Sequence, residues 1–275
     1  MKEGGDVWVH TRVVNHGVIV FGKWGSIHEE VGMLNKDQTD GFTPIHHALL
    51  HGWIAKAIVE RVGEQRGEAI IRQAIRRYGE ERGRRMALRA QANKHVLSMP
   101  NYIGYTEYRI RPGEIEMKIL ERSPHARVRI LKCPWYATWK ENELLSVGRL
   151  YCLEIDQALV RGFNPELQLD VNGTLPNGAA QCEFVYHDAD LTIPNYLLIR
   201  YRRAISPGAR AVMPWDYHVG HLFTTLEKVA IEELGQVGQE AIEAGLTEFA
   251  KRYGEQAMQR VVAGRSKDYQ SVPVG

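Results

Sequence analysis

The sequence predicts an α+β fold in which a central antiparallel sheet is flanked by two pseudo-repeated helical units. Three observations carry that prediction. Apolar residues recur at helical spacing from Ile45 to about Leu97. The segments 114–120 (EIEMKIL) and 126–133 (ARVRILKC) alternate as half-buried strands should, with Ser123-Pro124-His125 between them as a turn. The chain also aligns with itself: residues 46–80 lie on 218–255, matching His46 with His218, Leu50 with Leu222, Glu60 with Glu232 and Gly63 with Gly235.

In chain order, residues 1–40 read as a β-rich N-terminal arm, with β-branched runs on either side of a hairpin signal at Asn15-His16-Gly17. Residues 41–263 form a single domain. It opens at Thr43, a plausible helix cap, with Pro44 at the first helical position. Two or three helices follow, interrupted at Gly63 and at Tyr78-Gly79. After the two strands comes a helix over 147–161, ended by Gly162 and barred from continuing by Pro165. Strands at 167–171 and 181–186 follow, and 196–202 (YLLIRYR) is read as a further strand. Residues 264–275 are expected to fray. Paired strands dominate over strand–helix–strand alternation, which favours an antiparallel sheet over a doubly wound one.

With 275 residues, 44% of them hydrophobic, the chain can bury a core without staples. Its three cysteines, Cys133, Cys152 and Cys182, are an odd number lying close in sequence, which makes a poor disulfide framework. Free thiols in a reducing, cytoplasmic compartment are expected. The start lacks an apolar leader, and no stretch of eighteen apolar residues could cross a bilayer, so neither secretion nor a membrane partner is expected. A net charge of +2 provides no field to attract nucleic acid. The arginine-rich segment 61–89 reads as a solvated helix face in preference to an anion-binding surface; if it binds anything, a substrate carboxylate is expected rather than DNA. The expected partner is a small molecule, and a homo-oligomer is compatible with the sequence.

On the helix read over 147–161, Cys152 and Asp156 stand at i,i+4, next to the apolar stripe of Tyr151, Ile155 and Leu159. Alone, Cys152 reads as a small buried hydrophobe and Asp156 as a residue on the wet edge. Together, a thiol and a carboxylate can serve as nucleophile and acid/base. A carboxylate by itself raises a neighbouring thiol's pKa, so a positive partner is needed. Histidines crowd the two helix starts. His47 and His51 are i,i+4 and His218 and His221 are i,i+3, so the four are candidate ligands for Zn²⁺ or Mn²⁺, and His47 also a candidate substrate contact. Asn164 could orient substrate from the loop after the helix, although Asn-Pro is also an ordinary turn signal. Trp135, with Tyr136 and Trp139, reads as core or as pocket lining.

The series Cys133-Pro134-Trp135, Tyr151-Cys152, Asp156, Gly162-Phe163-Asn164-Pro165, Gly178 and Cys182-Glu183-Phe184 resembles the L-2-amino-thiazoline-4-carboxylic acid hydrolase family. His46-His47-Ala48 and Arg77-Tyr78-Gly79-Glu80 are similar too. The resemblance implies hydrolytic opening of a small cyclic amidine at a carbon bonded to nitrogen and sulfur, giving an N-carbamoyl amino acid. More distantly, residues 173–184 resemble the close of vinyl-4-reductase type small-ligand domains, which can hold a structural zinc. On that likeness Cys152 and Cys182 match the first and last ligands, while Val171 and Thr174 replace the other two, leaving half a tetrahedral site. The likeness implies that Cys152 and Cys182 lie near each other, with Thr174 a hydrogen-bond donor in the pocket.

The expected function is therefore a hydrolase acting on carbon–nitrogen bonds of a cyclic substrate. Cys152, Asp156 and Cys182 form its chemical centre, and Cys133, Trp135, Asn164, Thr174 and His47 lie around the substrate. The alternatives are a divalent-metal hydrolase built on the histidines and a non-catalytic small-ligand sensor.

Overall fold

The computed structural model describes residues 41–204 and 208–272. The N-terminal arm and its Asn15-His16-Gly17 hairpin lie outside the described residues. Helix α1 (Pro44–Val62) starts as expected: Thr43 is extended, Pro44 occupies the first turn, and the Thr43 backbone N–H donates to His46 Nδ1 at 3.2 Å. Gly63, at φ 82°, turns the chain directly into α2 (Glu64–Ala92). A short α3 (Met99–Gly104) leads to the first hairpin.

Strands β1 (Glu116–Glu121), β2 (Ala126–Lys132), β3 (Leu169–Gly173) and β4 (Cys182–Tyr186) form one sheet in the order β1-β2-β4-β3, antiparallel throughout. Two hairpins thus join through their inner strands, with Ile130 opposite Cys182. Between the hairpins lie α4 (Pro134–Glu141), α5 (Leu145–Cys152) and α6 (Ile155–Phe163). After the sheet come α7 (Ile193–Ala204), α8 (Trp215–Leu234), α9 (Gln236–Tyr253) and α10 (Glu255–Val262). The core is mainly helical: α2 packs on α6 and α8, and α1 on α8 and α9.

Several expectations need correction. The helix read over 147–161 is two helices, broken at Leu153-Glu154, because Glu154 is drawn out of register by Arg72 Nε at 2.6 Å and Arg76 Nη1 at 3.0 Å. Gly162 does not end α6 but lies inside it, with Asn164 as the cap. Helix α2 runs unbroken through Tyr78-Gly79. The strand expected at 196–202 is α7, two of whose arginines turn inward while Arg200 stays exposed: Arg203 Nη1 donates to the Ile103 carbonyl at 3.0 Å, and Arg202 to Asn101. Ile193, Leu197 and Tyr201, at successive i,i+4 positions, face out. This reversed polarity hides the helical period. Arg82, Arg85 and Arg89 of the supposed solvated face are buried. In the tail expected to fray, Tyr269 is buried and stacks on His221, with ring centroids 4.5 Å apart.

The two helical units share a helix–glycine–helix turn, at Gly63 (φ 82°) and Gly235 (φ 56°). They diverge where Gly79 sits within α2 while its counterpart Gly254, at φ 86°, ends α9. The shared turn does not establish an internal symmetry.

Backbone meets backbone where α2 crosses α6. A Cβ on Gly83 would stand 2.2 Å from the Leu159 carbonyl oxygen, and one on Gly162 would stand 2.3 Å from the Glu80 carbonyl oxygen. Gly83→Ala is therefore expected to cost at least about 1–3 kcal/mol, because neither partner is a flexible side chain. Urea unfolding of wild type and variant measures the loss.

Candidate active site

The corner between α5 and α6 positions the chemistry. Cys152 ends α5 and Asp156 lies in the first turn of α6. Cys133 sits between β2 and α4, and Cys182 opens β4, where its Sγ accepts the Leu175 backbone N–H at 3.3 Å. All three thiols are free. Each lies within electrostatic reach of Asp156, and Cys152 and Cys182 both feel Cys133.

These thiols are held protonated. Burial, then Cys133 and Asp156, pushes Cys152 well above the ordinary thiol value, and burial pushes Cys182 up to about 11. Burial also raises Cys133, although the backbone N–H groups of Tyr136 and Trp135 pull the other way. Asp156 is raised to about 6 by burial, against an opposing pull from Arg82.

No hydrogen bond or ion pair among the described residues reaches the Asp156 carboxylate, yet its oxygens are not sealed from water. The same is true of the hydroxyls of Tyr102, Tyr108, Tyr151 and Tyr186, each of which feels the Asp156 charge. A carboxylate and four phenols within its electrostatic reach thus keep unpartnered oxygens that are not sealed in packing.

The buried cation within electrostatic reach of Asp156 and of Tyr102, Tyr108 and Tyr151 is Arg82. It is 2% exposed, its guanidinium lies 4.9 Å from the Tyr108 ring centroid and 5.2 Å from that of Tyr78. Arg82 shares one counter-ion, Glu107, with Arg85 and Arg89. Glu107 takes Arg85 in a two-pronged grip at 3.0 and 2.8 Å and Arg89 at 2.6 Å, but Arg82 only through Nε at 3.4 Å. Burial alone would raise Glu107, but Arg85 and Arg82 hold it far below the usual carboxylate range. Three cations share one anion, which leaves positive potential among them, and Arg82 holds the longest of these contacts to Glu107.

His47 stands behind Arg82. The Trp135 indole N–H donates to its Nδ1 at 3.1 Å, which leaves the hydrogen on Nε2 to be donated to Tyr78 Oη at 3.1 Å. Burial, reinforced by Arg82, keeps His47 neutral. His218 donates Nε2–H to the Glu107 carbonyl at 3.0 Å, and His221 donates to Glu81 at 2.7 Å while Arg85 approaches its Nδ1. His51 is fully buried with neither ring nitrogen partnered. Burial lowers His51 and His218 to about 3 and His221 to about 4. The positive partner expected from these histidines is therefore not theirs to give. Nor do they present a shared set of lone pairs: among the described residues, no group of three or more His, Cys, Asp or Glu could hold a metal ion.

Other expected contacts are structural. Asn164 donates to the Leu97 carbonyl at 2.9 Å and accepts the Glu166 N–H at 3.0 Å, bracing the turn after α6. Thr174 Oγ1 accepts from Asn177 Nδ2 at 2.7 Å within the 3₁₀ turn Leu175–Asn177. Trp135 belongs to the His47 pair, and Trp139 donates to the Ala48 carbonyl at 2.8 Å. The sequence reading missed Glu107 and the four tyrosines as site residues, and included Arg82 only within a basic segment whose less favoured role is to bind a substrate carboxylate. Arginines at 82, 85 and 89 share one helix face, and that stripe was the signal available for them.

Because the fold holds the Asp156 proton to about pH 6, against about 4 in an unfolded chain, ionising it on the way up through that window costs stability. Asp156→Asn is thus expected to be more stable than wild type above pH 6, on the order of 1–2 kcal/mol, with the two converging below pH 4. Denaturant titrations at pH 4 and pH 8 check this.

A family model described as L-2-amino-thiazoline-4-carboxylic acid hydrolase matches residues 43–186. These residues include α1, α2, the whole sheet and every thiol, together with Asp156, Arg82 and Glu107. No curated protein and no solved structure matches the chain, and the vinyl-4-reductase likeness is not shown. The chain belongs to the L-2-amino-thiazoline-4-carboxylic acid hydrolase family.

Proposed function

We propose that the chain hydrolyses a small cyclic amidine that carries a carboxylate, such as a 2-aminothiazoline carboxylate, and that Asp156 rather than a cysteine leads the chemistry. The observation that carries this reading is a carboxylate with no protein partner, titrating near pH 6, within electrostatic reach of a buried guanidinium that holds its counter-ion only at 3.4 Å. Arg82 holds the substrate carboxylate, and the surrounding phenols donate to the ring heteroatoms. Asp156 takes a proton from water as its oxygen bonds to the amidine carbon, and returns that proton to the ring nitrogen. The resulting adduct collapses: its hydroxyl proton passes through Asp156 to the leaving atom as the carbonyl forms. Expelling sulfur yields an N-carbamoyl amino acid and a free thiol, whereas expelling the ring nitrogen would free an amine. The protonated Cys152 serves as a neutral S–H neighbour instead of a nucleophile.

Thiol release from 2-aminothiazoline-4-carboxylate, followed with a colorimetric disulfide reagent, tests the reading and tells carbon–sulfur from carbon–nitrogen cleavage. Asp156→Asn is expected to lower kcat by about 10²–10⁴-fold. Arg82→Met is expected to raise KM more than it lowers kcat. In wild type, kcat/KM should rise with pH through about 6, as Asp156 loses its proton and becomes a base. An Asp156→Asn variant as active as wild type would remove the basis for this mechanism, and Cys152→Ser losing all turnover would return the nucleophile to sulfur.

A further inference from the structure

Outside the Asp156 space, one surface groove of about 550 Å³ borders Cys133, between the end of β2 and the first turns of α4. Its wall includes Lys132, Tyr136, Lys140 and Glu141. The two lysines have no acidic partner within ion-pair distance among the described residues. Lys132 Nζ donates to the Gly113 carbonyl at 2.7 Å, and Lys140 lies 5.9 Å from the Tyr136 ring centroid.

The first turn of α4 separates this groove from the interior. Tyr136 looks onto the groove, while its neighbour Trp135 is buried among His47, Tyr108 and Trp215, with centroids 6.0, 5.9 and 5.7 Å away. Cys133 belongs to both sides. It lines the groove, and its thiol also feels Asp156 and in turn acts on Tyr108, Cys152 and Cys182. Cys133 is thus a groove-lining side chain that also lies within electrostatic reach of Asp156 and the other two thiols.

We propose that this groove is the mouth through which small anions reach Asp156 and Arg82, with Cys133 as its narrow point and Lys132 and Lys140 as the charges that draw them in. The proposal rests on the Asp156–Arg82 space being the active site. Two unpaired cations at a concave surface raise the local concentration of an anion and its rate of entry, an effect that salt removes. They contribute nothing to the step at the ring carbon.

The inner thiols report on access without any need for turnover. The full chain is treated at pH 9 and low salt with methanethiosulfonates carrying either a sulfonate or a trimethylammonium group, and modified cysteines are followed by peptide mass spectrometry. Cys133 should react first. Cys152 and Cys182 should then react about 3–10-fold faster with the anionic reagent than with the cationic one. Lys132→Glu combined with Lys140→Glu should reverse that order, and 0.5 M salt should flatten it. Cys133→Ala should speed the labelling of Cys152.

Inner thiols that react at rates indifferent to both the lysine reversal and Cys133→Ala, or that never react in the folded chain, overturn the proposal. The lysines are surface residues, so their variants remain informative if Cys133→Ala folds poorly. With the thiazoline substrate, the double lysine variant should lose about 3–10-fold in kcat/KM at low salt and keep kcat. A wild type without turnover would defeat the functional reading, while the labelling rates would still decide whether the groove is a mouth.

Discussion

A single carboxylate with no exposure, Glu107, holds the interior together. Its side chain ties three arginines of α2, and its backbone carbonyl accepts His218 Nε2–H from α8 and the Met213 N–H at 2.7 Å. Arg85 extends the tie to the tail by donating to the Tyr269 carbonyl at 2.6 Å. Removing charges from water costs several kcal/mol per ion, and only close geometry offsets it. Arg85 and Arg89 have that geometry; Arg82 has little of it. The clamp that joins α2 to α8 therefore also leaves an arginine whose charge is directed at Asp156.

The remaining interior is kept neutral around that cluster. The four buried histidines are uncharged, the phenols keep their protons, and the thiols keep theirs. Among these described interior groups, Asp156 is the one raised to about 6. A group that changes charge within an otherwise fixed environment can accept and return a proton with little reorganisation of its surroundings. The cost appears in stability, since the fold would prefer this carboxylic acid neutral.

What was legible in the sequence followed from local physics. The strand β2 shows in its alternation because one face of it is covered, β1 alternates in sequence although only Ile119 is partly covered, and α1 shows in Thr43-Pro44 because an extended cap and a fixed φ favour a helix start. What was hidden depended on partners distant along the chain. The α5–α6 break comes from Arg72 and Arg76, about eighty residues before Glu154. Helix α7 read as a strand because two of its arginines bind Asn101 and Ile103 and leave its apolar side outward. The cysteines and Asp156 were visible by residue type. Arg82 was not, because an arginine-rich helix face usually meets solvent, and the lone acid that buries it lies beyond the next helix.

The protonated state of the clustered sulfurs has a chemical corollary. Exchange with a disulfide proceeds through thiolate, so neighbours that keep their hydrogens react slowly with a disulfide brought to them. Oxidation also starts from thiolate, so a mild oxidant will find little there to attack.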